Sequence, residues 1–351
     1  MTSRTDVSRP ASAPTATAGP PPGIPATMRA LRQTTLNGPQ DMRLVTDVPV
    51  PAPGPGEVLI RVGAAGVNFA DVMQTRGTYH GGPLAPYVAG FEAAGEVVAL
   101  GQGVTDLTLG DHVIGTGPGA FAEYLALPAA GVTRVPVGWT DEQAPGLILN
   151  WATALAALRP LGRLAAGETV LIHAAAGGVG QAAVRMARHY GATVIATASA
   201  GKHDTVRAAG AHHVVDYREA DVAAEVLRLT DGRGADLVLE SVGGATFRAS
   251  LAAARRVTGR VVVYGVAGGE ATVSNWELNF THQIHLIGLH IGVLAQHAPA
   301  VFAELTAEMS ALMAAGVLTP GRPTVYDLAD GPEALAALEA RATVGKLVLR
   351  P

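Results

Sequence analysis

The chain has 351 residues, of which 48% are hydrophobic and only 15% are charged, with a formal net charge of −4. This length predicts two domains, and the thinly spread charge argues against a nucleic-acid-binding face. The sequence contains no cysteine, which excludes disulfides, thiolate zinc sites and cysteine nucleophiles.

The first 27 residues are rich in proline, alanine, serine and threonine and contain almost nothing large to bury. This composition predicts a disordered N-terminal tail over residues 1–27. The tail lacks the apolar core of a secretory signal, and the chain contains no run of eighteen apolar residues. We therefore expect a cytoplasmic protein with no membrane partner.

Residues 28–149 are predicted to form short strands separated by glycine and proline. In the segment PGPGEVLIRV, Val58, Ile60 and Val62 alternate with residues on the opposite face, which is typical of a half-buried strand. Similar segments follow at intervals of eight to twelve residues. The pattern predicts a mainly β domain, a compact and partly open barrel, over 28–149.

From about residue 150, apolar runs of four to six residues alternate with helical stretches. Six strands are predicted, in the segments TVLIHA, TVIATA, HVVDY, LVLES, RVVVYG and HLIGLH. Strands alternating with helices indicate an α/β fold, here a doubly wound parallel sheet of the Rossmann type over 150–294. A helical stretch and a closing strand follow, and we expect residues 295–351 to return to the first domain.

The strongest chemical signal is a small-residue turn between a predicted strand and a predicted helix. Such a turn lets a phosphate approach the free N–H groups at the start of the helix. Ala175 occupies the position of the first glycine in the dinucleotide-binding pattern, and glycines hold the other two. The predicted cofactor-binding residues of this turn are Ala176, Gly177, Gly178, Val179 and Gly180.

The residues beyond the second strand favour NADPH over NADH. That strand ends at Ser199, where an NADH site would place an acid for the ribose 2′-hydroxyl, and no acid is present. Lys202 follows, and Tyr217 closes the third strand, so a cation and a phenol can converge on a 2′-phosphate. Alternatively, Lys202 is an ordinary solvated lysine at the start of a helix and has no role in cofactor binding.

Four segments together resemble the medium-chain dehydrogenase/reductase superfamily, and specifically its zinc-independent NADPH:quinone oxidoreductase branch. The segments are VNFADVMQTRGTY, HAAAGGVGQAAVRMARHYGA, VVDYRE and ARATVGKLVL, and the resemblance spans residues 28–351. In the zinc-dependent branch, a cysteine before an aspartate and a histidine before a glutamate bind the metal. Here VNFAD and Gly90-Phe91-Glu92 stand at those positions, so both ligands are missing.

The resemblance implies a GroES-like catalytic domain, a homodimer, and NADPH-dependent reduction of quinones or α,β-unsaturated carbonyls. It also implies roles for individual residues. Asn68 would lie near the nicotinamide and the substrate, and Thr153 would touch the nicotinamide. Lys202, Tyr217 and Arg341 would contact the 2′-phosphate, and Gly265 would border the cofactor.

Tyr79 is the best candidate for a catalytic side chain. Hydride addition to a conjugated carbonyl builds negative charge, which hydrogen-bond donors must stabilise when no metal ion does so. Tyr79 matches a tyrosine that supports proton delivery in the related enoyl-thioester reductases; alternatively, it only lines the cleft. Asn68 is the second catalytic candidate, to hold the carbonyl or the ribose, although it could simply cap a turn. His80 is a further possible proton source.

Three alternatives compete with the leading hypothesis. A metal site at His282, His285 and His290 is disfavoured because the segment reads as a strand, whose successive side chains point to opposite faces. Reduction of an enoyl thioester and a non-catalytic NADPH-binding sensor both remain open.

The segment IHLIGLHI is apolar on both faces, so it could pair with a second copy at a sheet edge or be buried by its own chain.

Overall fold

The computed structural model describes residues 23–351, so most of the predicted tail lies outside the described residues. Its last five residues are included. Ile24 packs against a hydrophobic cluster that contains Met28 and Leu59. The first strand begins at Thr27. Residues just before position 28 therefore already pack against the first domain.

The first domain is built from short antiparallel strands. Its strands are β1 (Thr27–Gln33), β2 (Met42–Pro49), β3 (Glu57–Val67), β4 (Tyr87–Val88), β5 (Glu92–Leu100), β6 (His112–Thr116), β7 (Tyr124–Pro128) and β8 (Thr133–Arg134). A small sheet has the order β2-β1-β4, and a larger one contains β3 and β5 to β8. One short helix, α1 (Phe69–Thr75), follows β3. The core surrounds the fully buried Phe121.

The second domain is a six-stranded parallel sheet with helices between its strands. Its strands are β9 (Thr169–Ile172), β10 (Thr193–Thr197), β11 (His213–Val215), β12 (Leu237–Glu240), β13 (Arg260–Val263) and β14 (His285–Gly288). Its helices are α2 (Ala152–Leu158), α3 (Gly178–His189), α4 (His203–Ala208), α5 (Val222–Leu229), α6 (Gly244–Ala253), α7 (Ile291–His297) and α8 (Pro299–Ala314).

The strand order is β11-β10-β9-β12-β13-β14, with every neighbouring pair parallel. This is the order of the doubly wound dinucleotide-binding fold, so the predicted fold class is confirmed. Each observed strand ends one or two residues before the predicted segment does. Because the strands are parallel, the residues that follow them all lie at one edge of the sheet, where such folds bind their ligands.

The predicted return to the first domain at residue 295 is too early. Helix α8 buries Leu305, Met309 and Leu312 in the core of the second domain, because these apolar side chains recur at helical spacing and pack against α2. The chain returns only with β15 (Thr324–Asp327), α9 (Gly331–Glu339) and β16 (Leu347–Arg350). Strand β16 pairs with β3 and so completes the larger sheet of the first domain.

Between residues 23 and 351, no helix is both long enough and apolar enough to cross a membrane.

Candidate active site

The small-residue turn connects β9 to α3 as the sequence predicts. Gly177 is the N-terminal cap of α3, and Gly178, Val179 and Gly180 form its first turn. A Cβ on Gly180 would lie 2.4 Å from the carbonyl oxygen of Ala174, so only glycine lets the helix approach the strand this closely. Within the described residues, no side chain caps α3, and its first N–H groups are therefore available to an anion such as a diphosphate.

A loop from the C-terminal part of the chain holds this turn in place. The backbone N–H of Gly345 donates to the carbonyl of Ala176 at 2.8 Å, and the side chain of Gln181 donates to the same carbonyl at 2.8 Å. Gly177 and Gly345 also pair as a parallel bridge. The carbonyl of Ala176 therefore accepts two hydrogen bonds within the protein, and the N–H of Gly177 donates to the carbonyl of Ala174 at 3.0 Å.

A cavity of about 500 Å³ lies beyond the carboxyl end of β10, where the 2′ position of a bound nucleotide is expected. Lys202 lies at this cavity, and burial lowers the pKa of its ammonium group. The Nζ atom donates to the carbonyls of Arg341 at 2.8 Å and Thr343 at 2.7 Å, which leaves its third hydrogen for a ligand. The cavity is lined by Ser199, Ala200, Gly201, Lys202, Asp216, Arg218, Glu219, Ala342 and Val344.

Arg218 is a cation of this cavity that sequence reasoning missed. Its guanidinium carbon lies 5.9 Å from the centroid of the Tyr217 ring, which is half-buried against the core. Asp216 also lines the cavity, but its carboxylate accepts the backbone N–H groups of Ala200 and Arg218, both at 2.9 Å. The Asp216 carboxylate is therefore engaged by its own loop, and Lys202 and Arg218 are the cations that line the cavity, together with the acid Glu219.

Arg341 and Gly265 lie at the neighbouring edge of the site. Arg341 contributes its carbonyl to Lys202, and its guanidinium lies beside Gly268, in the loop after β13. A Cβ on Gly265 would lie 2.6 Å from the carbonyl oxygen of Ser241, so the loops after β12 and β13 pack directly on each other. Any contact of Arg341 with a 2′-phosphate stays a prediction.

Arg218 provides the cleanest test of cofactor selectivity, because Lys202 also holds the C-terminal loop. We expect Arg218→Ala to raise the KM for NADPH about tenfold or more and to leave the KM for NADH nearly unchanged, since a charge-assisted hydrogen bond contributes about 1.5 to 3 kcal/mol. Steady-state kinetics with both coenzymes measures this. Arg207→Ala, on the exposed face of α4, is the matched control. Equal losses with the two coenzymes would contradict the assignment.

A buried polar cluster joins the two domains next to the glycine turn. The Lys346 ammonium donates to Glu92 Oε2 at 2.7 Å, to Asn68 Oδ1 at 2.7 Å and to Asn150 Oδ1 at 3.0 Å. Glu92 is fully buried, and its other oxygen accepts the backbone N–H of Gly146 at 2.8 Å. Asn150 is also close to the turn, because a Cβ on Gly178 would lie 3.0 Å from Asn150 Oδ1.

Asn68 lies inside this cluster, with its amide already engaged. Its Nδ2 donates to the carbonyl of Gly66 and to Glu92 Oε2, both at 3.2 Å, and its Oδ1 accepts from Lys346 and from Asn150 Nδ2. Asn68 also begins α1, where its backbone N–H donates to Asp71 Oδ2 at 2.8 Å. A hydrogen bond from this amide to a substrate carbonyl would require one of these contacts to break.

Asp71 and Thr153 are two further polar residues buried near the cluster. Burial raises the pKa of Asp71 to about 7, and among the described residues its Oδ1 has no hydrogen-bond partner. The Thr153 hydroxyl donates to the carbonyl of Leu149 at 2.6 Å, within its own helical segment. The predicted contact of Thr153 with the nicotinamide would therefore use its methyl group, or its hydroxyl after rotation away from Leu149.

Tyr79 and His290 meet across the two domains. The Tyr79 hydroxyl lies 3.0 Å from His290 Nε2, and burial together with the charge of Asp71 raises the pKa of the phenol. Tyr79 follows α1, and His290 follows β14 at the ligand-binding edge of the sheet. The sequence singled out His290 only as part of a disfavoured metal site. Within residues 23–351, no three histidine or acidic side chains are placed to bind a metal ion together.

The fold and the site define a two-domain oxidoreductase that binds a dinucleotide at the carboxyl edge of its parallel sheet. Family models agree for both domains: residues 54–137 match the alcohol dehydrogenase GroES-like domain, and residues 178–311 match the zinc-binding dehydrogenase family. The chain belongs to the medium-chain dehydrogenase/reductase superfamily.

Two curated relatives are similar to most of this chain but differ greatly from each other in the share of their own length that it matches. The chain is 33% identical to the rat synaptic vesicle membrane protein VAT-1 homolog over 343 residues, which cover 92% of this chain and 84% of that protein. It is 38% identical over 299 residues to a mycocerosic acid synthase-like polyketide synthase of Mycobacterium tuberculosis. That match covers 85% of this chain but only 14% of the length of the synthase.

Three solved structures are similar over nearly the whole chain. A mycobacterial protein complexed with NADPH is 36% identical, with a TM-score of 0.87 and coverage of 92% of this chain and 100% of that one. Escherichia coli quinone oxidoreductase complexed with NADPH is 30% identical, with a TM-score of 0.86 and the same coverage. The CurK enoyl reductase is 28% identical, with a TM-score of 0.84, and the match covers 92% of this chain and 99% of that one.

Proposed function

We propose that the chain is an NADPH-dependent, metal-independent reductase that transfers hydride to a quinone or an α,β-unsaturated carbonyl. The observation that carries this proposal is the position of three features at the same edge of the parallel sheet. The turn at Gly177, the cavity at Lys202 and Arg218, and the phenol of Tyr79 all lie along it. The similar structures from mycobacteria and E. coli contain NADPH, which supports the choice of coenzyme.

Different residues of the chain would bind the coenzyme and donate the proton. A reduced nicotinamide, when bound, supplies the hydride that a conjugated acceptor takes up. The N–H groups at the start of α3 bind the diphosphate, and the cations of the 2′ cavity bind the additional phosphate. The Tyr79 hydroxyl donates a hydrogen bond where negative charge develops on the acceptor, and then donates its proton there.

Turnover with a panel of acceptors tests the proposal. We expect NADPH oxidation, followed by the loss of absorbance of the reduced nicotinamide, to accelerate with small quinones or α,β-unsaturated ketones. The same rate should be observed after treatment with a strong chelator. Absence of turnover with every acceptor, or a rate that the chelator abolishes and zinc restores, would contradict the proposal.

The second candidate is an enoyl-thioester reductase, favoured by Tyr79 and by the similarity to the CurK enoyl reductase. A short enoyl-CoA assayed beside a quinone separates the two activities, because the preferred acceptor has the higher kcat/KM. A non-catalytic NADPH sensor is the third. It predicts that NADPH raises the melting temperature while no acceptor is reduced.

We further propose a homodimer that forms through the β14 edge of the six-stranded sheet. Strand β14 is the last strand in the sheet order and has only β13 as its neighbour among the described strands. Leu286 on this strand is exposed, and so are Trp276 and Phe280, whose rings contact each other in the segment that precedes the strand. An unpaired edge with apolar side chains favours pairing with a second copy. A monomer in sedimentation velocity experiments would exclude this assembly.

A cytoplasmic location is also a proposal. It is supported by the similarity to E. coli quinone oxidoreductase across 92% of the chain. Fractionation of the cells that express the protein tests it, and recovery in a membrane or secreted fraction would contradict it.

A further inference from the structure

The contact between Tyr79 and His290 is placed where an acceptor must bind. Strands β13 and β14 are parallel, with Val263 opposite Gly288, so His290 emerges at the same sheet edge as the loop after β13. Tyr79 reaches this edge from the other domain. The pair therefore spans the cleft between the two domains, at the edge where doubly wound sheets bind their ligands.

A second hydrogen bond fixes the tautomer of His290. The residue is the N-terminal cap of α7, and its Nδ1 accepts the backbone N–H of Val293 at 3.2 Å. A neutral imidazole carries a single N–H, so the hydrogen must be on Nε2. The ring therefore donates to the Tyr79 oxygen, and the phenol keeps its own hydrogen to donate to a ligand.

We propose that His290 is a positioning residue that orients Tyr79 as the proton donor of the reaction and stabilises the phenolate left behind. This inference rests on the proposed reductase function. Once hydride has added to the acceptor, the electron pair of the reduced C=C or C=O bond becomes an enolate or an alkoxide. The O–H bond of Tyr79 breaks, its proton binds the enolate carbon or the oxygen, and the phenolate takes a proton back from water.

Two features of the surroundings of Tyr79 oppose formation of its phenolate, and a hydrogen-bond donor to the phenol oxygen offsets them. The charge of Asp71 and the burial of the phenol both raise its pKa and so oppose formation of a phenolate. An N–H donated by His290 opposes this effect because it favours the charged oxygen. His80, the other proton source that the sequence suggested, is almost fully exposed and lies 3.2 Å from Glu270, away from this contact.

The variant His290→Asn should remove the hydrogen bond to Tyr79 and keep the one from the backbone N–H of Val293. An asparagine keeps an oxygen near the position of Nδ1, and asparagine caps helices well, but its side chain is too short to reach Tyr79. We expect an unchanged melting temperature, an unchanged KM for NADPH, and a kcat lowered about tenfold or more. His297→Asn, at the other end of the same helix, is the control, because His297 is exposed and should leave kcat unchanged.

A double-mutant cycle and a spectroscopic measurement complete the test. In a Tyr79→Phe background, the additional change His290→Asn should have no further effect on kcat, because the phenol on which it acts is gone. In the protein without coenzyme, labelled with ¹³C at tyrosine Cζ, the resonance that Tyr79→Phe removes should titrate at a higher pH in His290→Asn than in the wild type.

Each result has a defined meaning. Additive losses in the cycle, a wild-type kcat in His290→Asn, or an unchanged Tyr79 titration would each overturn the role of His290. These outcomes leave the reductase function intact as long as the wild type turns over a quinone or an enone. If the wild type reduces no acceptor, the proposed function fails, and the resonance of Tyr79 still decides whether His290 donates to the phenol.

Discussion

Replacing Lys346 with methionine should lower the free energy of unfolding by about 3 to 5 kcal/mol, because the substitution leaves a buried carboxylate without its cation. The Lys346 ammonium is the counter-ion of Glu92, whose side chain is fully buried. It also donates to the amide oxygens of Asn68 and Asn150, so its loss removes three hydrogen bonds from the buried cluster. Denaturant titration of the purified variant measures the change.

Two further variants show whether the buried charge is the cause. Adding Glu92→Gln to Lys346→Met removes the stranded charge and keeps an oxygen for the N–H of Gly146, so we expect at least half of the lost stability to return. Arg350→Met breaks two ion pairs at the surface, with Asp327 and Glu142, and should cost less than about 1 kcal/mol. The account is wrong if Lys346→Met costs no more than Arg350→Met, or if the double variant recovers nothing.

A single methyl group on Gly180 should weaken coenzyme binding about 100-fold. The new Cβ would lie 2.4 Å from the carbonyl oxygen of Ala174 and 2.5 Å from the Cα atom of Ala175, and backbone atoms cannot move aside as a flexible side chain can. Helix α3 must therefore shift away from β9. Displacing two N–H groups from the diphosphate costs about 3 kcal/mol, which is about a 100-fold increase in the Kd for NADPH.

The fold should survive this substitution, at a cost of about 1 to 3 kcal/mol for the crowded contact. Gly321→Ala is the matched control, because a Cβ on Gly321 meets no atom within 4 Å and its backbone conformation suits alanine. Calorimetric titration with NADPH compares the two variants. An affinity of Gly180→Ala equal to that of Gly321→Ala would show that the start of α3 does not bind the coenzyme.

The fold could be predicted from the sequence largely because its signals are local. Each of the six apolar segments from TVLIHA to HLIGLH became a strand, and their alternation with helices indicated the parallel, doubly wound sheet that is observed. The place where the chain leaves the second domain was predicted too early. Whether α8 packs on α2 or on the first domain depends on the fit of two helical surfaces, which the spacing of Leu305 and Met309 does not specify.

The site was predictable where a short motif carries it and not where distant segments meet. The glycine turn could be found because its chemistry lies within five consecutive residues. The bonds of Lys202 to Arg341 and Thr343 join residues about 140 positions apart, so the sequence showed a cation but not what holds it. The contacts of Lys346 with Asn68 and of His290 with Tyr79 span 278 and 211 positions.

The central claim is that this chain binds NADPH along the glycine turn and discriminates it from NADH by its additional phosphate. Titration calorimetry of the purified wild-type protein with each reduced coenzyme tests this claim most directly. We expect saturable binding of one NADPH per chain, and binding of NADH weaker by about tenfold or more, as the loss of a charge-assisted contact implies. No saturable heat with either coenzyme, or equal affinities for both, would contradict the account.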